Sequence, residues 1–152
     1  MDARIVNALL TSVVGIFTQV LQLEPKLGKP QVAKDIDPKY SIVTVLGFVG
    51  DIEGNMIYSF NEDTALQIVS RMMGMEYNRL DDLALSALGE LGNMTTGSLA
   101  VNLEKIGYKT DITPPTVITG KEIKVSVEGV ILKLPVQLFK PEDVELNLVM
   151  KK

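Results

Sequence analysis

The sequence contains no cysteine, no histidine and no tryptophan. Without cysteine, the chain can form neither disulfides nor cysteine-based metal sites. Without histidine, it lacks the commonest general base and the commonest metal ligand, and it cannot use a Ser–His or Cys–His pair for nucleophilic catalysis. Any chemistry must therefore use carboxylates, amides, hydroxyls, lysine or arginine, or groups that a partner supplies. We expect no metal site in the chain.

Long apolar runs and an excess of positive charge are also missing. Polar and charged residues interrupt the apolar N-terminal stretch, and no uninterrupted run of about 18 apolar residues is present, so we expect neither a signal peptide nor a membrane span. The net charge of −4 argues against nucleic acid as the main partner, because phosphate binding needs a clustered basic surface. These features favour a cytoplasmic protein.

The composition that remains is that of an ordinary globular domain. The chain has 152 residues, of which 46% are hydrophobic and 22% charged, so it is long enough for one domain over residues 1–152. Aromatic residues make up only 5%, so we expect a core made mainly of leucine, isoleucine, valine and methionine.

The chain alternates between helical and strand-like patterns. The pattern predicts helices at 2–22, 62–73 and about 81–106, and the first two are expected to be capped by Asp2 and Asn61. It also predicts strands around Val32 and at 41–50, 55–60, 121–127, 129–138 and 144–150. This order predicts an α+β fold with long helices and a mixed, largely antiparallel sheet.

Two details of the pattern carry further expectations. Pro135 favours an edge or a bulge in its strand, because proline cannot donate to a sheet ladder. The stretches 7–28 and 86–107 are both long helices that end in glycine with Leu-Glu near the end, which suggests an internal duplication.

The segment SALGELGNMTTGSLA, residues 86–100, contains three glycines inside a predicted helix. Each interior glycine disfavours a helix by about 1 kcal/mol relative to alanine. At about 100° per residue, Ser86, Glu90, Asn93 and Gly97 form one stripe, with Asp82 at its upstream end. The opposite side is expected to enter the core through Leu83, Ala84, Ala87, Leu88, Leu91, Met94, Thr95 and Leu99.

Two interpretations of the glycines are open. If Gly89 and Gly97 lie on the exposed stripe, no side chain at these two positions stands beside Glu90 and Asn93. Another protein surface can then approach the acid and the amide closely. Alternatively, the stripe is an ordinary solvated helix face and the glycines pack against a neighbouring strand.

The same segment, followed by DITPPTV, resembles the CheC/CheX/FliY family of bacterial chemotaxis phosphatases, and most closely its CheX members. The family signature is Asp or Ser, three residues, Glu, two residues and Asn, which matches Ser86, Glu90 and Asn93. A proline follows roughly two dozen residues later in the family. Here Pro114 and Pro115 fall one or two residues short of that spacing, which leaves their role open. The similarity covers nearly the whole chain.

The resemblance implies a pseudo-symmetric fold, a homodimer and hydrolysis of the phospho-aspartate on a CheY-like response regulator. It assigns the signature positions to Ser86, Glu90 and Asn93, of which Glu90 and Asn93 are expected to be catalytic. From the stripe, we expect Ser86, Asp82, Gly89 and Gly97 to contact the partner. The regulator, not this chain, is expected to carry the Mg²⁺. Aligning the two long helices puts Asn7, Thr11 and Val14 in the places of the signature residues, which implies one site per chain.

Two other functions remain open at this point. One is a non-catalytic binding module like the middle domain of flagellar switch proteins, which shares the fold. The other is a structural dimer with an unrelated ligand. The intact acid and amide favour the phosphatase.

Overall fold

A computed structural model describes residues 2–151 as three helices and one antiparallel sheet of eight strands. The helices are α1 (Ala3–Leu21), α2 (Glu62–Met73) and α3 (Asp82–Lys105). The strands are β1 (Lys26–Leu27), β2 (Gln31–Ala33), β3 (Ile42–Gly50), β4 (Gly54–Phe60), β5 (Thr110–Ile112), β6 (Thr116–Thr119), β7 (Val130–Gln137) and β8 (Val144–Met150). The α+β class and the antiparallel sheet are confirmed.

Each helix begins at a side chain that accepts a backbone hydrogen bond. Asp2 accepts from Arg4 N at 2.9 Å, and Asn61 and Asp81 accept from backbone N–H groups three residues ahead. These bonds satisfy donors that have no partner within the first turn. The predicted helix starts at Asp2 and Asn61 are therefore confirmed.

The element order repeats, as the two similar long helices suggest. A helix, two short strands and a hairpin (α1, β1, β2, β3, β4) are followed by α2 and then by the same series (α3, β5, β6, β7, β8). The sheet order is β1-β7-β8-β4-β3-β5, with β2 also on β7 and β6 also on β3. The short strands of each half therefore pair with the hairpin of the other half, and β4 and β8 form the central pair.

The sheet carries a core on each face. The three helices cover one face, where side chains such as Leu46, Tyr58 and Leu146 are fully buried. A smaller apolar cluster occupies the other face around Ile57 and Val149. The apolar residues Val144, Leu146 and Leu148 alternate along β8 and join the main core. Since the other face of β8 is covered as well, Glu145 and Asn147 are also buried.

The expectation of a strand at 121–127 is also wrong. The segment between β6 and β7 has no strand pairing, although its apolar side chains still point inward. Ile123, Val125 and Val127 pack on the smaller cluster, while the residues between them are exposed. The alternation therefore reflects a chain that covers a sheet face without joining the ladder.

Pro135 lies in an inner strand, because β7 pairs with β8 on one side and with β1 and β2 on the other. The expectation of an edge is thus wrong, but that of a bulge is correct, because the three residues 28–30 face the two residues 134–135. Pro135 instead lies opposite the break between β1 and β2, and its carbonyl accepts from Gly28 N at 2.8 Å. The N–H that proline lacks would point to the same side, so the ladder with β8 stays intact.

Helix α1 is long and apolar enough to cross a membrane by length and composition alone. Its apolar side is nevertheless part of the main core, where Leu9, Val13 and Phe17 are fully buried. A core helix has the same composition, so this finding gives no reason to change the prediction of a chain without a membrane span.

Candidate functional site

The predicted stripe lies on the outer face of α3. Ser86 and Glu90 are exposed, Asn93 and Gly97 are partly exposed, and Asp82 is exposed in the first turn. The structure therefore brings the acid and the amide together on one accessible face, one turn apart. Among residues 2–151, no ion pair engages the Glu90 carboxylate and no hydrogen bond engages the Asn93 side chain. Both groups are free to meet a partner.

The three glycines of α3 have different surroundings. Gly92 is buried on the sheet, where an added Cβ would lie 3.0 Å from Leu46 and 3.1 Å from Thr44. Gly97 is partly exposed, and an added Cβ there would make an ordinary van der Waals contact with Ile112 at 3.9 Å. The close approach of α3 to the sheet therefore requires glycine at position 92. Gly97 instead leaves the stripe beside Glu90 and Asn93 accessible.

Gly89 corrects the sequence interpretation. It is buried, and an added Cβ would lie 3.3 Å from Pro115 Cγ and 3.4 Å from Val117 Cγ2. The expectation that Gly89 belongs to the exposed surface that contacts a partner protein is therefore wrong. For this glycine, the alternative of packing against a neighbouring strand is correct.

Leu83 was expected in the core, but it is 57% exposed. At about 100° per residue it lies beside Glu90 and not opposite it. Val101 lies at the same angle farther along α3 and is 56% exposed. The exposed face therefore carries an apolar side chain on either side of the acid and amide.

A buried polar contact holds the underside of α3 on β4. The hydroxyls of Tyr58 and Thr96 are 2.7 Å apart, and both residues are buried. Burial raises the pKa of the Tyr58 phenol, so it remains a neutral hydrogen-bonding group. Sequence analysis missed this contact because the two residues are far apart in the chain and no spacing rule links them.

The start of α3 is fixed by a second polar contact. The Tyr77 hydroxyl donates to the Asp81 carboxylate, which also accepts from Ala84 N. The Tyr77 bond is the main cause that lowers the pKa of Asp81 below its usual range. The cap therefore stays ionised at neutral pH and complements the positive end of the helix dipole.

The corresponding face of α1 lacks these groups. Asn7 and Thr11 are exposed and Val14 is partly exposed, so this face offers no carboxylate beside an amide. Within residues 2–151, no group of three or more aspartate, glutamate, histidine or cysteine side chains could hold a metal ion.

A matched pair of substitutions tests the roles of the glycines. Gly97→Leu should leave the fold intact, raise helix propensity by about 0.8 kcal/mol and weaken partner binding, because the new side chain stands beside Glu90 and Asn93. Gly92→Leu should instead lower the free energy of unfolding by about 3 kcal/mol, because the core beneath it has no room. Denaturant unfolding of both variants checks this. A sharp loss of stability in Gly97→Leu would show that Gly97 is packed.

The family model described as "Chemotaxis phosphatase CheX" matches residues 42–134. A curated relative from Thermotoga maritima, named "CheY-P phosphatase CheX", is 57% identical over 152 residues, which are 99% of this chain and 98% of the relative.

Two solved structures are similar over nearly the whole chain. The chemotaxis protein CheX from Vibrio vulnificus has a TM-score of 0.87 at 28% identity, with 97% of this chain and 99% of that chain covered. The CheX in a CheX–CheY–BeF₃–Mg²⁺ complex from Borrelia burgdorferi has a TM-score of 0.84 at 28% identity, with 97% of each chain covered.

Proposed function

Because the chain belongs to the CheX family of chemotaxis phosphatases, we propose that it hydrolyses the phospho-aspartate of a CheY-like response regulator through the exposed stripe of α3. The observation that carries this is the free acid–amide pair, Glu90 and Asn93, on an accessible helix face. The 57% identical relative is named for the same reaction, and a similar structure was solved together with CheY. The protein is therefore an enzyme, a hydrolase whose partner is a phosphorylated regulator.

The reaction suits a chain without histidine or cysteine. A water molecule attacks the phosphorus, the bond from phosphorus to the aspartyl oxygen breaks, and inorganic phosphate leaves behind a free carboxylate. Because an acyl phosphate is already activated, phosphoryl transfer needs mainly orientation and electrostatic stabilisation. The Asn93 amide can hold the water in line with the phosphorus. Glu90 can pair with the regulator's active-site lysine and fix the docking geometry.

The direct test is phosphate release from a purified, phosphorylated CheY-like regulator. We expect the rate to exceed that of the regulator alone and to saturate with regulator concentration. If the protein binds the phosphorylated regulator without accelerating phosphate release, the binding-module alternative is correct.

The divalent cation should belong to the regulator. We propose that activity requires Mg²⁺ and is abolished by EDTA, and that calorimetry of this chain alone detects no stoichiometric Mg²⁺ binding. The support is the absence of cysteine and histidine and the separation of the acidic residues along the chain. Tight binding of one Mg²⁺ per chain in the absence of the regulator would contradict this proposal.

We also propose that the protein is a cytoplasmic homodimer joined at sheet edges. The long strands β7 and β8 are inner strands, so the edges must be the short ones. Val32 in β2 is 69% exposed and Ile118 in β6 is 39% exposed, and such edges can pair with another chain. Light scattering at micromolar concentration should give twice the chain mass. A monomer mass would contradict the proposal.

A further inference from the structure

The connection between β5 and β6 contains one extra residue beside α3. Ile112 pairs with Phe48 and Thr116 pairs with Val45. The two residues 46–47 of β3 therefore face the three residues 113–115, which is a β-bulge. A bulge bends its strand and changes the direction of the side chains that follow.

Side-chain chemistry makes this bulge stable. Thr113 N donates to Gly47 O at 2.9 Å, and the Thr113 hydroxyl accepts from Gly47 N at 2.8 Å. The two following residues, Pro114 and Pro115, have no N–H, so the bulge leaves no donor without a partner there. The bonds of Thr113 to β3 therefore hold the segment that carries Pro115, two residues farther on.

The ring of Pro115 fills the notch that Gly89 leaves in α3. An added Cβ on Gly89 would lie 3.3 Å from Pro115 Cγ, closer than the usual carbon–carbon contact of about 3.5–4.0 Å. Residues three and four positions away share a helix face, so the neighbours of Gly89 on this side are Ser86 and Asn93. Pro115 therefore packs against α3 at Gly89, one turn before Asn93.

We propose that Pro115 is a positioning residue for Asn93. By packing in the notch at Gly89, its ring fixes the height and rotation of that turn of α3. The amide then meets the attacking water in the required orientation. This inference rests on the proposed function, because it needs Asn93 to act during hydrolysis. It also gives the second proline of the PP pair a role that the shifted spacing left open.

The test changes the side-chain volume at the contact between Pro115 and Gly89. Pro115→Ala opens a gap and Gly89→Ala overfills the notch, so each should lower kcat about tenfold, because small misplacements of a reacting group are costly. The double variant should recover to within about threefold of the parent, since one methyl replaces part of the missing ring. Pro114→Ala is the matched control, and its kcat should be unchanged. Binding of the regulator loaded with beryllofluoride should change by less than about twofold in all four variants.

The outcomes separate positioning from simple packing. If Pro115→Ala and Gly89→Ala unfold at lower temperature but keep the parent kcat, the proposal is wrong. It is equally wrong if the double variant is no more active than the poorer single variant. If Asn93→Ala and Glu90→Ala both retain full turnover, the proposed site itself fails. If those two are inactive while the Pro115 and Gly89 variants match the parent, only the positioning role fails.

Discussion

Asn93→Ala should lower kcat for regulator dephosphorylation by a factor on the order of one hundred or more. The amide holds a water in line with the phosphorus, and this orientation matters only as the reaction proceeds. An interaction made only in the transition state changes kcat, while the affinity for the bound substrate stays the same. Binding of the beryllofluoride-loaded regulator should therefore remain near normal. Single-turnover phosphate release and equilibrium binding measure the two effects separately.

Asn7→Ala is the matched control for this loss. Asn7 is exposed on α1, the helix that corresponds to α3 in the repeated element order, and it lies outside the proposed site. Its turnover should equal that of the parent. If Asn93→Ala keeps most of its turnover, the water-orienting role is wrong and the chain acts through binding alone.

The sequence was sufficient to predict the exposed stripe, because helical periodicity fixes which residues share a face. Glu90, Asn93, Ser86 and Asp82 all lie where this periodicity places them. Periodicity does not reveal which distant segment of the chain packs against a helix face. For this reason Gly89 was expected to be exposed, although it is buried. Its neighbour Pro115 comes from a bulge between two short strands, and no local pattern in the sequence determines where that bulge lies.

The sheet shows the same limit. Apolar runs predicted that β7 and β8 exist, and the repeated helices suggested a duplication, but runs alone do not say which strand is central. The strands β4 and β8 are central because the short strands of each half pair with the outer strand of the other half's hairpin. This exchange covers β7 with the short strands β1 and β2 of the same chain. Long-range pairing of this kind is decided by the packing of the whole sheet.

Glu90 differs from Asn93 in the kind of contact that it can make. It is a charged group on an exposed face, and within residues 2–151 no lysine or arginine forms an ion pair with it. Its proposed partner, the lysine of the regulator, is charged as well. A charge pair between two proteins contributes to docking and fixes the relative orientation of the surfaces. Loss of Glu90 should therefore affect binding and, through misplacement of the amide, turnover.

Glu90→Ala should weaken binding of the beryllofluoride-loaded regulator about tenfold at low salt and should also lower kcat. The binding defect should shrink as salt rises, because the Debye length falls from about 10 Å at 0.1 M to about 3 Å at 1 M and the parent loses the benefit of its charge pair. The parent and the variant are compared by calorimetry at both salt concentrations. Glu104→Ala, which removes another exposed carboxylate near the far end of α3, is the matched control and should bind like the parent. A binding defect that is equal at both salt concentrations would show that Glu90 acts by shape or hydrogen bonding, and the charge-pairing role would be wrong.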